Sequence, residues 1–580
     1  MRIAVVDREK CKREKCSFLC AKVCPKNRAG EKCIALDEKN NVVIDESTCI
    51  GCALCAKKCP FNAIQIVNTP ETLEEKPVHR FGKNGFALFR LPFPEEGKVV
   101  GLLGKNGLGK STAIKILSGQ IKPNFGKESS ENWLSELKEA FGGTELMNYL
   151  EKLERKSVKT VVKPQQIEFL RRISETPAEL FERYDERGVK NEVVEKLELK
   201  EVLNRELNKL SGGELQRVAI AIACMRCADL YLFDEPSSYL DVKQRLNAGK
   251  LIRELAAEAS VMVVEHDLAM LDFVADKIHI FYGIPGAFGV VSKPYSVKNG
   301  INAFLEGYVK EDNVKIHDPV KFEKLARGEV SAEVLLKFTE MEKNYPGFTL
   351  RVEGGEIRKG EILGIFGSNG LGKTTFAKIL AGEERADKGS VERNAEISYK
   401  PQYVGEMFPE REKVVEEILP AWNEGFRKKF IVPLELEHVL KLPLKALSGG
   451  ELQRVAICKA LSKEAEIYLL DEPSAFLDAV QRMKFFSLIQ RFAEETGKTL
   501  VIVEHDLLML SFCDRALLFL GKPGREGRAR FYPTEEAMNR FLKELNITFR
   551  RDSETGRPRA NKPGSQKDRE QKERGEYFCF

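Results

Sequence analysis

Two glycine-rich loops in this chain have the residue types and spacing that bind phosphate groups. They read Gly104-Lys-Asn-Gly-Leu-Gly-Lys110-Ser111 and Gly367-Ser-Asn-Gly-Leu-Gly-Lys373-Thr374, and both fit the pattern G-x4-G-K-[S/T]. Each follows a short apolar strand and precedes a helical pattern, so backbone N–H groups converge on the phosphates at a helix N-terminus. The residues predicted to bind ATP in these loops are Gly104, Asn106, Gly107, Gly109, Lys110, Ser111, Thr112, Gly367, Asn369, Gly370, Gly372, Lys373, Thr374 and Thr375.

Two acidic pairs complete the chemistry that such loops require. Asp234 and Asp471 each end a short apolar run, which predicts a carboxylate on the magnesium side of each site. The next residues, Glu235 and Glu472, stand where a general base would orient the attacking water. The predicted Mg²⁺ ligands are Ser111, Gln165, Asp234, Thr374, Gln402 and Asp471.

Two more polar side chains recur in both halves of the chain. Gln165 and Gln402 each follow Lys-Pro, and we expect them to sense the metal and the water. His266 and His505 each follow an apolar strand in the context Glu-His-Asp. A single histidine there is usually structural, but its recurrence indicates a contact with the γ-phosphate. The predicted catalytic residues are Glu235, Glu472, His266, His505, Gln165 and Gln402.

These motifs belong to a duplication that starts at about residue 78. Gln165 and Gln402 are 237 positions apart, whereas Lys110 and Lys373 are 263 apart. The first copy therefore has 26 extra residues between its phosphate loop and its glutamine. Each copy also ends in a Gly/Pro-rich segment and a short helical pattern, and these segments are predicted to be hinges.

The extra residues of the first copy predict a helical hairpin at about 127–156. Two amphipathic patterns are broken at Phe141-Gly-Gly143, and Thr144 is placed to cap the second helix. Such a hairpin is either a tolerated surface insertion or a docking element.

Two runs of cysteine precede the duplication. They are Cys11-x4-Cys16-x3-Cys20-x3-Cys24-Pro25 and Cys49-x2-Cys52-x2-Cys55-x3-Cys59-Pro60. The second matches the bacterial ferredoxin run in every spacing, and in two-cluster ferredoxins the fourth cysteine of a run reaches the other cluster. Zinc is the competing interpretation, because paired C-x2-C motifs also make tetrahedral sites. We predict two [4Fe–4S] clusters, one held by Cys11, Cys16, Cys20 and Cys59, the other by Cys49, Cys52, Cys55 and Cys24.

Composition places these sites in a cytoplasmic protein with several domains. A chain of 580 residues exceeds what one hydrophobic core supports. No apolar run approaches the roughly 18 residues that a membrane span requires, and no secretory signal is visible. Nine of the 14 cysteines lie in the first 59 residues, which indicates metal ligation in a reducing compartment.

The predicted fold class is α/β, with tandem ATP-binding-cassette P-loop NTPase domains after an N-terminal ferredoxin-like α+β iron–sulfur domain with two clusters. The C-terminal tail is basic, without apolar periodicity, and reads either as a flexible segment that meets phosphate backbones or as a solvated, disordered end. The predicted domains are 1–75 (ferredoxin-like), 76–285 (first cassette), 286–325 (hinge), 326–520 (second cassette) and 521–580 (second hinge and tail).

A third repeated motif, Leu-Ser-Gly-Gly-Glu-Leu-Gln-Arg, resembles the signature of ATP-binding-cassette ATPases. In that superfamily the signature of one cassette binds the ATP held by the other, so the resemblance implies two composite ATPase sites. Phe81 and Tyr345 precede the two lysines at similar distances and either stack on adenine or pack in the core. The resemblance adds Ser211, Gly213, Ser448, Gly450, Asp241 and Asp478 to the predicted ATP-binding residues, and the spacing to the lysines adds Phe81 and Tyr345.

The whole chain resembles one family, the archaeal-type ribosome-recycling ATPases of subfamily E, also called RNase L inhibitors. The resemblance rests on the cysteine spacings, the doubled signature and the run Asp234-Glu-Pro-Ser-Ser-Tyr-Leu-Asp241. It implies a monomer whose two cassettes pair intramolecularly and use ATP and Mg²⁺ to split ribosomes. Its partners would be a release-factor-type protein and the small subunit, through ribosomal RNA and proteins, with no membrane part. The alternative is an ATP-coupled iron–sulfur electron-transfer protein.

Overall fold

The computed structural model describes residues 2–68, 76–127, 133–320 and 330–579. The chain forms two compact units: one holds Met1–Ser238 and Asn247–Pro319, the other Tyr239–Leu246 and Val320–Phe580. The predicted boundaries at residues 75 and 325, and residues 128–132 of the predicted hairpin, lie outside the described residues. Within the described ranges, no helix has both the length and the apolar character needed to cross a bilayer.

The N-terminal domain is built from short elements around the cysteines. Its first and last strands pair antiparallel, with Arg2 opposite Asn68 and Val6 opposite Ile64. A second antiparallel pair joins Ile34–Leu36 to Val42–Ile44. Cys20, Cys24, Cys33, Cys49 and Cys55 are buried in its small core. The strands are Arg2–Val6, Ile34–Leu36, Val42–Ile44 and Ile64–Asn68, and the helices are Arg13–Cys16, Leu19–Val23, Pro25–Arg28 and Leu54–Lys58.

The first cassette is an eight-stranded mixed sheet flanked by helices. Its central strand, Val99–Gly104, is buried along its whole length, as an apolar strand covered on both faces must be. In sheet order the strands are His79–Arg80, Ala87–Phe89, Phe288–Ser296, Lys277–Ile284, Val99–Gly104, Ser260–Val264, Leu230–Asp234 and Thr160–Lys163. The α-helices are Lys110–Leu117, Trp133–Phe141, Glu145–Glu154, Pro177–Tyr184, Lys190–Lys196, Gly212–Met225, Val242–Leu255, Leu268–Val274 and Val297–Glu306.

The described part of the predicted insertion folds as two helices, Trp133–Phe141 and Glu145–Glu154. Thr144 caps the second helix as predicted, because its hydroxyl accepts a hydrogen bond from the Met147 N–H at 3.2 Å. Leu146, Met147 and Leu150 are buried in the core of the cassette. The second helix is therefore packed onto the cassette.

The second cassette repeats the first sheet strand for strand, which confirms the duplication. In sheet order its strands are Met341–Tyr345, Phe348–Val352, Glu526–Pro533, Arg515–Lys522, Ile362–Gly367, Thr499–Val503, Ile467–Asp471 and Ile397–Lys400. A three-stranded sheet of Gly355–Arg358, Val334–Phe338 and Val391–Arg393 lies in the same unit. The α-helices are Lys373–Ala381, Val415–Ile418, Glu424–Phe426, Gly449–Ser462, Ala479–Thr496, Leu507–Leu510 and Thr534–Leu545.

The first residues of the predicted hinges at 286–325 and 521–580 belong to the cassette sheets. The Gly/Pro segments 283–286 and 521–524 hold the last residues of the strands Lys277–Ile284 and Arg515–Lys522 and the tight turns that lead to the next antiparallel strand. The strands after them, Phe288–Ser296 and Glu526–Pro533, are ladder-bonded on both sides within those sheets. Both segments are thus integral to the cassettes, because a strand bonded to two neighbours cannot act as a free linker.

The prediction of a flexible or disordered C-terminal tail is also wrong. Residues 549–579 form a three-stranded sheet, Pro558–Ala560, Phe549–Arg551 and Phe578–Cys579, and a helix, Gln566–Arg574. The buried Asp568 carboxylate accepts from the Thr548 hydroxyl at 2.7 Å, and Thr548 in turn accepts from the Asn561 amide at 2.8 Å. A buried polar network thus stabilises a segment that has no apolar periodicity.

Candidate functional site

Each phosphate loop closes around its own lysine. Lys110 Nζ donates hydrogen bonds to the backbone carbonyls of Gly104, at 2.8 Å, and Lys105, at 2.7 Å. Lys373 does the same with the carbonyls of Gly367 and Ser368, at 3.0 and 2.8 Å. Both lysines begin a helix, so their loops direct backbone N–H groups and an ammonium to one point.

An aromatic ring packs close to the glycine before each lysine. Gly109 has φ of +91° and Gly372 has φ of +90°, a left-handed conformation that favours glycine. A Cβ on Gly109 would lie 2.9 Å from the Phe86 ring, and one on Gly372 would lie 3.2 Å from the Phe348 ring. Phe86 and Phe348 were not predicted from the sequence.

The side chains predicted to hold Mg²⁺ lie together beside the loops. The Ser111 hydroxyl donates to Asp234 Oδ2 at 2.8 Å, and the Thr374 hydroxyl lies 3.4 Å from Gln402 Oε1. Asp471 is fully buried, and neither of its carboxylate oxygens has a hydrogen-bond partner within the described ranges. Burial raises the pKa of Asp471, and the adjacent Glu472 adds to the rise. A buried carboxylate of this kind suits a divalent cation, which takes oxygen ligands.

The predicted general bases are held by the predicted glutamines and histidines. Gln165 Nε2 donates to Glu235 Oε1 at 2.8 Å, and His266 Nε2 lies 3.5 Å from the same oxygen. The second copy repeats this arrangement, with Gln402 and His505 at 2.8 and 3.4 Å from Glu472 Oε1. The structure thus brings all six predicted catalytic side chains into two matching groups.

The electrostatics of these groups favour an ionised glutamate. Burial opposes ionisation of Glu235, but contacts with His266, Lys110 and Gln165 outweigh it and lower the pKa to about 2. The pKa of Glu472 is lowered to about 2 by the corresponding residues against the same opposing burial. A bound polyphosphate would raise both pKa values again, because a neighbouring anion disfavours a second one.

Both glutamates also have an uncommon backbone conformation. Glu235 has φ of +47° and Glu472 has φ of +45°, which costs a non-glycine residue roughly 1–3 kcal/mol. Such a conformation persists only where the surroundings determine it, and it recurs here at both glutamates.

The surroundings that determine it include two buried lysines whose contribution the sequence did not reveal. Lys163 Nζ donates to the backbone carbonyls of Asp234, at 3.0 Å, and Glu235, at 3.2 Å. Lys400 Nζ donates to the carbonyls of Asp471 and Glu472, at 2.7 and 3.4 Å. Burial lowers the pKa of each lysine to about 8, although the nearby carboxylates oppose it. The signal was the repeated Lys-Pro-Gln, in which only the glutamine was given a role.

The two signature motifs begin long helices, Gly212–Met225 and Gly449–Ser462. Ser211 and Ser448 cap them: each hydroxyl accepts from the N–H of the glutamate three residues later, at 3.3 and 3.4 Å. Each of those glutamates, Glu214 and Glu451, accepts in return from the serine N–H at 2.8 Å. This capping box presents Gly213 and Gly450 in the first turn.

Asp241 and Asp478 each accept hydrogen bonds from backbone N–H groups. Both carboxylates accept from the N–H three residues later, at 2.9 Å, which for Asp478 caps the helix Ala479–Thr496. Asp241 also accepts from the Asn369 N–H at 2.7 Å. Asp241 belongs to the segment Tyr239–Leu246, which lies in the second unit together with Asn369.

Phe81 and Tyr345 are exposed side chains, so core packing is excluded as the reason for their presence. Their exposed fractions are 47% and 39%. The Phe81 ring contacts His79 edge to face at 4.8 Å. The Tyr345 hydroxyl contacts Glu384 and Thr375, and its ring lies over Lys343 Nζ.

The cysteines separate into two sets that cross between the runs. Cys11, Cys16 and Cys20 of the first run line one cavity together with Cys59 of the second run. Burial raises the pKa of Cys55 to about 11, with smaller contributions from Cys49, Cys52 and Cys24, the members of the other set. In the described residues, no three histidine, cysteine or carboxylate side chains converge tightly enough to hold a single metal ion.

Cys33, for which sequence analysis had no role, lies beside the second set. Its side chain is 2% exposed and contacts the sulfurs of Cys24 and Cys49. Burial raises its pKa to about 12, with Cys24 and Cys49 adding to the rise.

Comparison with known proteins supports both halves of this description. The model of the ABC transporter family matches residues 94–238 and 353–475. A 4Fe-4S binding domain matches residues 42–65, and a possible Fer4-like domain of RNase L inhibitor matches residues 1–32. The cassettes are therefore ATP-hydrolysing ABC domains, and the N-terminal domain is of the 4Fe-4S type.

Full-length relatives extend the match over the entire chain. An uncharacterized ABC transporter ATP-binding protein of Methanocaldococcus jannaschii is 48% identical, covering 100% of this chain and 97% of the relative. Translation initiation factor RLI1 of Saccharomyces cerevisiae is 43% identical, covering 100% and 98%. A solved structure, the model of ribosome-bound archaeal Pelota and ABCE1, is 50% identical with a TM-score of 0.92, covering 100% and 99%. On this sequence identity, fold and pair of sites, the chain belongs to the RNase L inhibitor family of ABC ATPases, subfamily E.

Proposed function

We propose that this protein is a cytoplasmic ribosome-recycling factor that hydrolyses ATP to split ribosomes into subunits. The observation that carries the proposal is the presence of two matching sets of site residues in a chain that is 50% identical, end to end, to a ribosome-bound relative. That relative was solved with Pelota, so we propose the ribosome and a release-factor-type protein as partners. Contacts with the small subunit would involve ribosomal RNA and proteins.

In each site, the chain's own residues divide the work of hydrolysis. Lys110 and Lys373 contact the β- and γ-phosphates, and the loop N–H groups neutralise the triphosphate. Glu235 and Glu472 orient the attacking water, while His266 and His505, whose Nε2 atoms lie 3.5 and 3.4 Å from those glutamates, contact the γ-phosphate. Mg²⁺, held by Ser111, Gln165 and Asp234 or by Thr374, Gln402 and Asp471, would neutralise charge on the β- and γ-phosphates.

We further propose that both sites are composite. Ser211 and Gly213 would contact the ATP held by Lys373, and Ser448 and Gly450 the ATP held by Lys110. The hydrogen bond from the Asn369 N–H to Asp241 supports this, because Asp241 follows the catalytic strand of the first cassette in sequence and Asn369 belongs to the second phosphate loop. Phe81 and Tyr345 would stack on adenine, since both rings are exposed and each precedes by a few residues the phenylalanine, Phe86 or Phe348, that packs against the phosphate loop.

Two [4Fe–4S] clusters would complete the protein, with the ligand sets that sequence analysis predicted. The cavity lined by Cys11, Cys16, Cys20 and Cys59 supports the first set. When bound, the clusters would hold the N-terminal domain as a rigid body that the cassettes move. An ATP-coupled electron-transfer protein is not favoured, because the full-length relatives include translation factors.

The test combines purified ribosomes, a Pelota-type release factor, ATP and the protein, and follows subunits by sedimentation. The unaltered protein should split ribosomes with ATP and not without it. Glu235→Gln with Glu472→Gln should bind ATP yet fail to turn it over, because the carboxylates that orient water are gone. Intact ribosomes after incubation with active protein, factor and ATP would refute the proposed function. Rapid ATP turnover by the double variant would refute the proposed mechanism.

A further inference from the structure

Two buried lysines, Lys163 and Lys400, lie next to the two sites, and the proposed mechanism gives them no role. Lys163 and Lys400 are 1% and 0% exposed, so neither ammonium reaches solvent. Each lysine ends a strand that pairs in parallel with the strand before the catalytic glutamate, Leu230–Asp234 or Ile467–Asp471. Lys163 is in register with Phe233, and Lys400 is in register with Leu470. Parallel pairing therefore delivers each ammonium to the carbonyls that follow.

Each lysine contacts the carbonyl of a glutamate with left-handed backbone and, at a shorter distance, the carbonyl of the aspartate before it. Glu235 is fixed at its N–H by the Val264 carbonyl at 3.0 Å, and at its own carbonyl by two donors. One donor is Lys163 Nζ at 3.2 Å. The other is Gln216 Nε2 at 2.8 Å, from the helix Gly212–Met225 that begins at the signature motif of the same cassette. The glutamate backbone is thus held on both sides of its Cα.

The second cassette repeats the arrangement with the equivalent residues. The Glu472 N–H donates to the Val503 carbonyl at 2.9 Å. Its carbonyl accepts from Lys400 Nζ at 3.4 Å and from Gln453 Nε2 at 2.8 Å. Recurrence of a buried ammonium at the same carbonyl in both copies argues against a chance contact.

We infer that Lys163 and Lys400 are positioning residues for hydrolysis, which hold Glu235 and Glu472 in the backbone conformation that aims their carboxylates at the attacking water. Lys163 and Gln165 lie two residues apart and hold Glu235 at opposite ends, one at the carbonyl and the other at the carboxylate. The inference rests on the role proposed for the two glutamates, and it deepens that role by naming what orients them.

A charge-balancing role is the competing explanation, because each lysine lies among three carboxylates. The negative charges that act on Lys163 come from Asp234, Glu235 and Glu265. Those that act on Lys400 come from Asp471, Glu472 and Glu504. A lysine that only balanced charge would stabilise the fold without acting on the rate of the chemical step. The two roles therefore separate in kcat, in the KM for ATP and in the response to a neutral donor.

The experiment uses three variants of the full-length protein. They are the double variant Lys163→Met/Lys400→Met, the double variant Lys163→Gln/Lys400→Gln, and the single variant Lys159→Met. Methionine keeps the approximate length of the lysine side chain and removes the hydrogen-bond donor. We therefore expect kcat to fall by about tenfold or more while the KM for ATP stays within about twofold. Glutamine keeps an N–H donor without the charge, and its kcat should lie closer to that of the unaltered protein. Lys159 is an exposed lysine just before the same strand, and Lys159→Met should match the unaltered protein.

Unchanged kcat in the methionine variant would overturn the inference, as would a glutamine variant that is as slow as the methionine one. If the methionine variant does not fold, a structure of the unaltered protein with Mg²⁺ and ATP decides, because an ammonium more than hydrogen-bond distance from both carbonyls would overturn it. Glu235→Gln with Glu472→Gln separates this inference from the proposed mechanism. Full activity in that glutamate variant contradicts the mechanism, whereas normal rates in the lysine variants alone contradict only the positioning role.

Discussion

Gln165 Nε2 donates a hydrogen bond to Glu235 Oε1 at 2.8 Å, although 70 positions separate them in the sequence. The contact follows from sheet topology: Gln165 comes two residues after the edge strand Thr160–Lys163, and Glu235 comes directly after its parallel neighbour Leu230–Asp234. Parallel neighbours end at the same edge of a sheet, so their following residues meet. The second copy reproduces the distance between Gln402 and Glu472.

Removal of this amide should slow hydrolysis more than it weakens binding. In Gln165→Ala with Gln402→Ala, the glutamates lose a donor that fixes their carboxylates, and kcat should fall by roughly 10- to 100-fold. The KM for ATP should change by less than about threefold, because the phosphate loops remain intact. Steady-state ATPase assays measure both constants.

Gln166→Ala is the matched control, since Gln166 is the exposed neighbour of Gln165. Its kcat and KM should equal those of the unaltered protein. If Gln165→Ala with Gln402→Ala retained full kcat, the hydrogen bond to the glutamate would have no part in hydrolysis.

Most of the site could be predicted from sequence because its residues follow strands at fixed positions. Repetition then identified which polar residues mattered, as with His266 and His505. The lysines Lys163 and Lys400 escaped because a lysine at a strand end reads as a solvated residue, and its burial depends on a neighbouring strand that sequence does not place. The left-handed backbone of Glu235 escaped for the same reason.

The fold was predictable where hydrophobic patterns are strong and wrong where they are weak. The apolar strand before the first phosphate loop and the cap of the second hairpin helix by Thr144 were both predicted, and the structure has them at Val99–Gly104 and Glu145–Glu154. The Gly/Pro segment 283–286 has the composition of a linker, yet tertiary pairing makes it the turn of a β-hairpin. The C-terminal segment lacks apolar periodicity because a polar network around Asp568 holds part of it together.

The phosphate loop of the first cassette should not tolerate a methyl group at Gly109. Gly109→Ala places a Cβ 2.9 Å from the Phe86 ring in a backbone conformation that alanine rarely adopts. ATP binding at that site should be lost, so calorimetric titration should show about half the nucleotide stoichiometry of the unaltered protein.

Gly143→Ala is the control for a strained alanine outside the phosphate loop. Gly143 has a similar left-handed φ of +78°, and a Cβ there would meet no atom within 4 Å. This variant should bind ATP normally. Normal stoichiometry in Gly109→Ala would mean that the loop adapts to the added methyl group.

Asn84 joins the N-terminal domain to the first cassette. Its side chain accepts from the Ile44 N–H at 2.8 Å and donates to the Ile44 carbonyl at 2.9 Å, and it is 2% exposed. Asn84→Ala would leave both backbone groups of Ile44 without these partners, which should lower the free energy of unfolding by about 1–3 kcal/mol. Thermal unfolding of the full-length protein measures the loss, and Lys83→Ala, at the exposed neighbour, should leave the melting temperature unchanged. Equal melting temperatures for Asn84→Ala and the unaltered protein would contradict this.

His279 should make the first cassette sensitive to acid. Burial lowers its pKa to about 4, and Nδ1 donates to the Ser292 carbonyl at 2.8 Å while Nε2 has no partner within the described ranges. Between about pH 6.5 and pH 4 the unfolded chain binds a proton that the folded state does not. The free energy of unfolding should therefore fall as the pH falls through this range, by up to about 3 kcal/mol.

The measurement compares thermal unfolding of His279→Gln and of the unaltered protein at pH 7.5 and pH 5.5. Glutamine retains an N–H donor for Ser292 and does not titrate, so the variant should lose less stability on acidification. Parallel losses in the two proteins would show that other groups dominate the acid response.

Cys59 should belong to the cluster of the other cysteine run. It lines a cavity with Cys11, Cys16 and Cys20, so Cys59→Ser should destroy the cluster that those three cysteines hold and retain about half of the iron. Iron analysis and electron paramagnetic resonance of the reduced protein measure what remains. Cys33→Ala serves as the control, because Cys33 belongs to neither predicted ligand set. This variant should leave the iron content unchanged.

Two double variants decide whether the runs cross. If the ligands cross, the double variant Cys11→Ser/Cys59→Ser removes two ligands of one cluster and should still retain about half of the iron. The double variant Cys49→Ser/Cys59→Ser removes one ligand from each cluster and should retain almost none. If each run held its own cluster, the two results would be exchanged, because Cys11 and Cys59 would then serve different clusters. Since both proteins lack Cys59 and one cysteine from a neighbouring loop, a difference between them reports connectivity and not a general loss of folding.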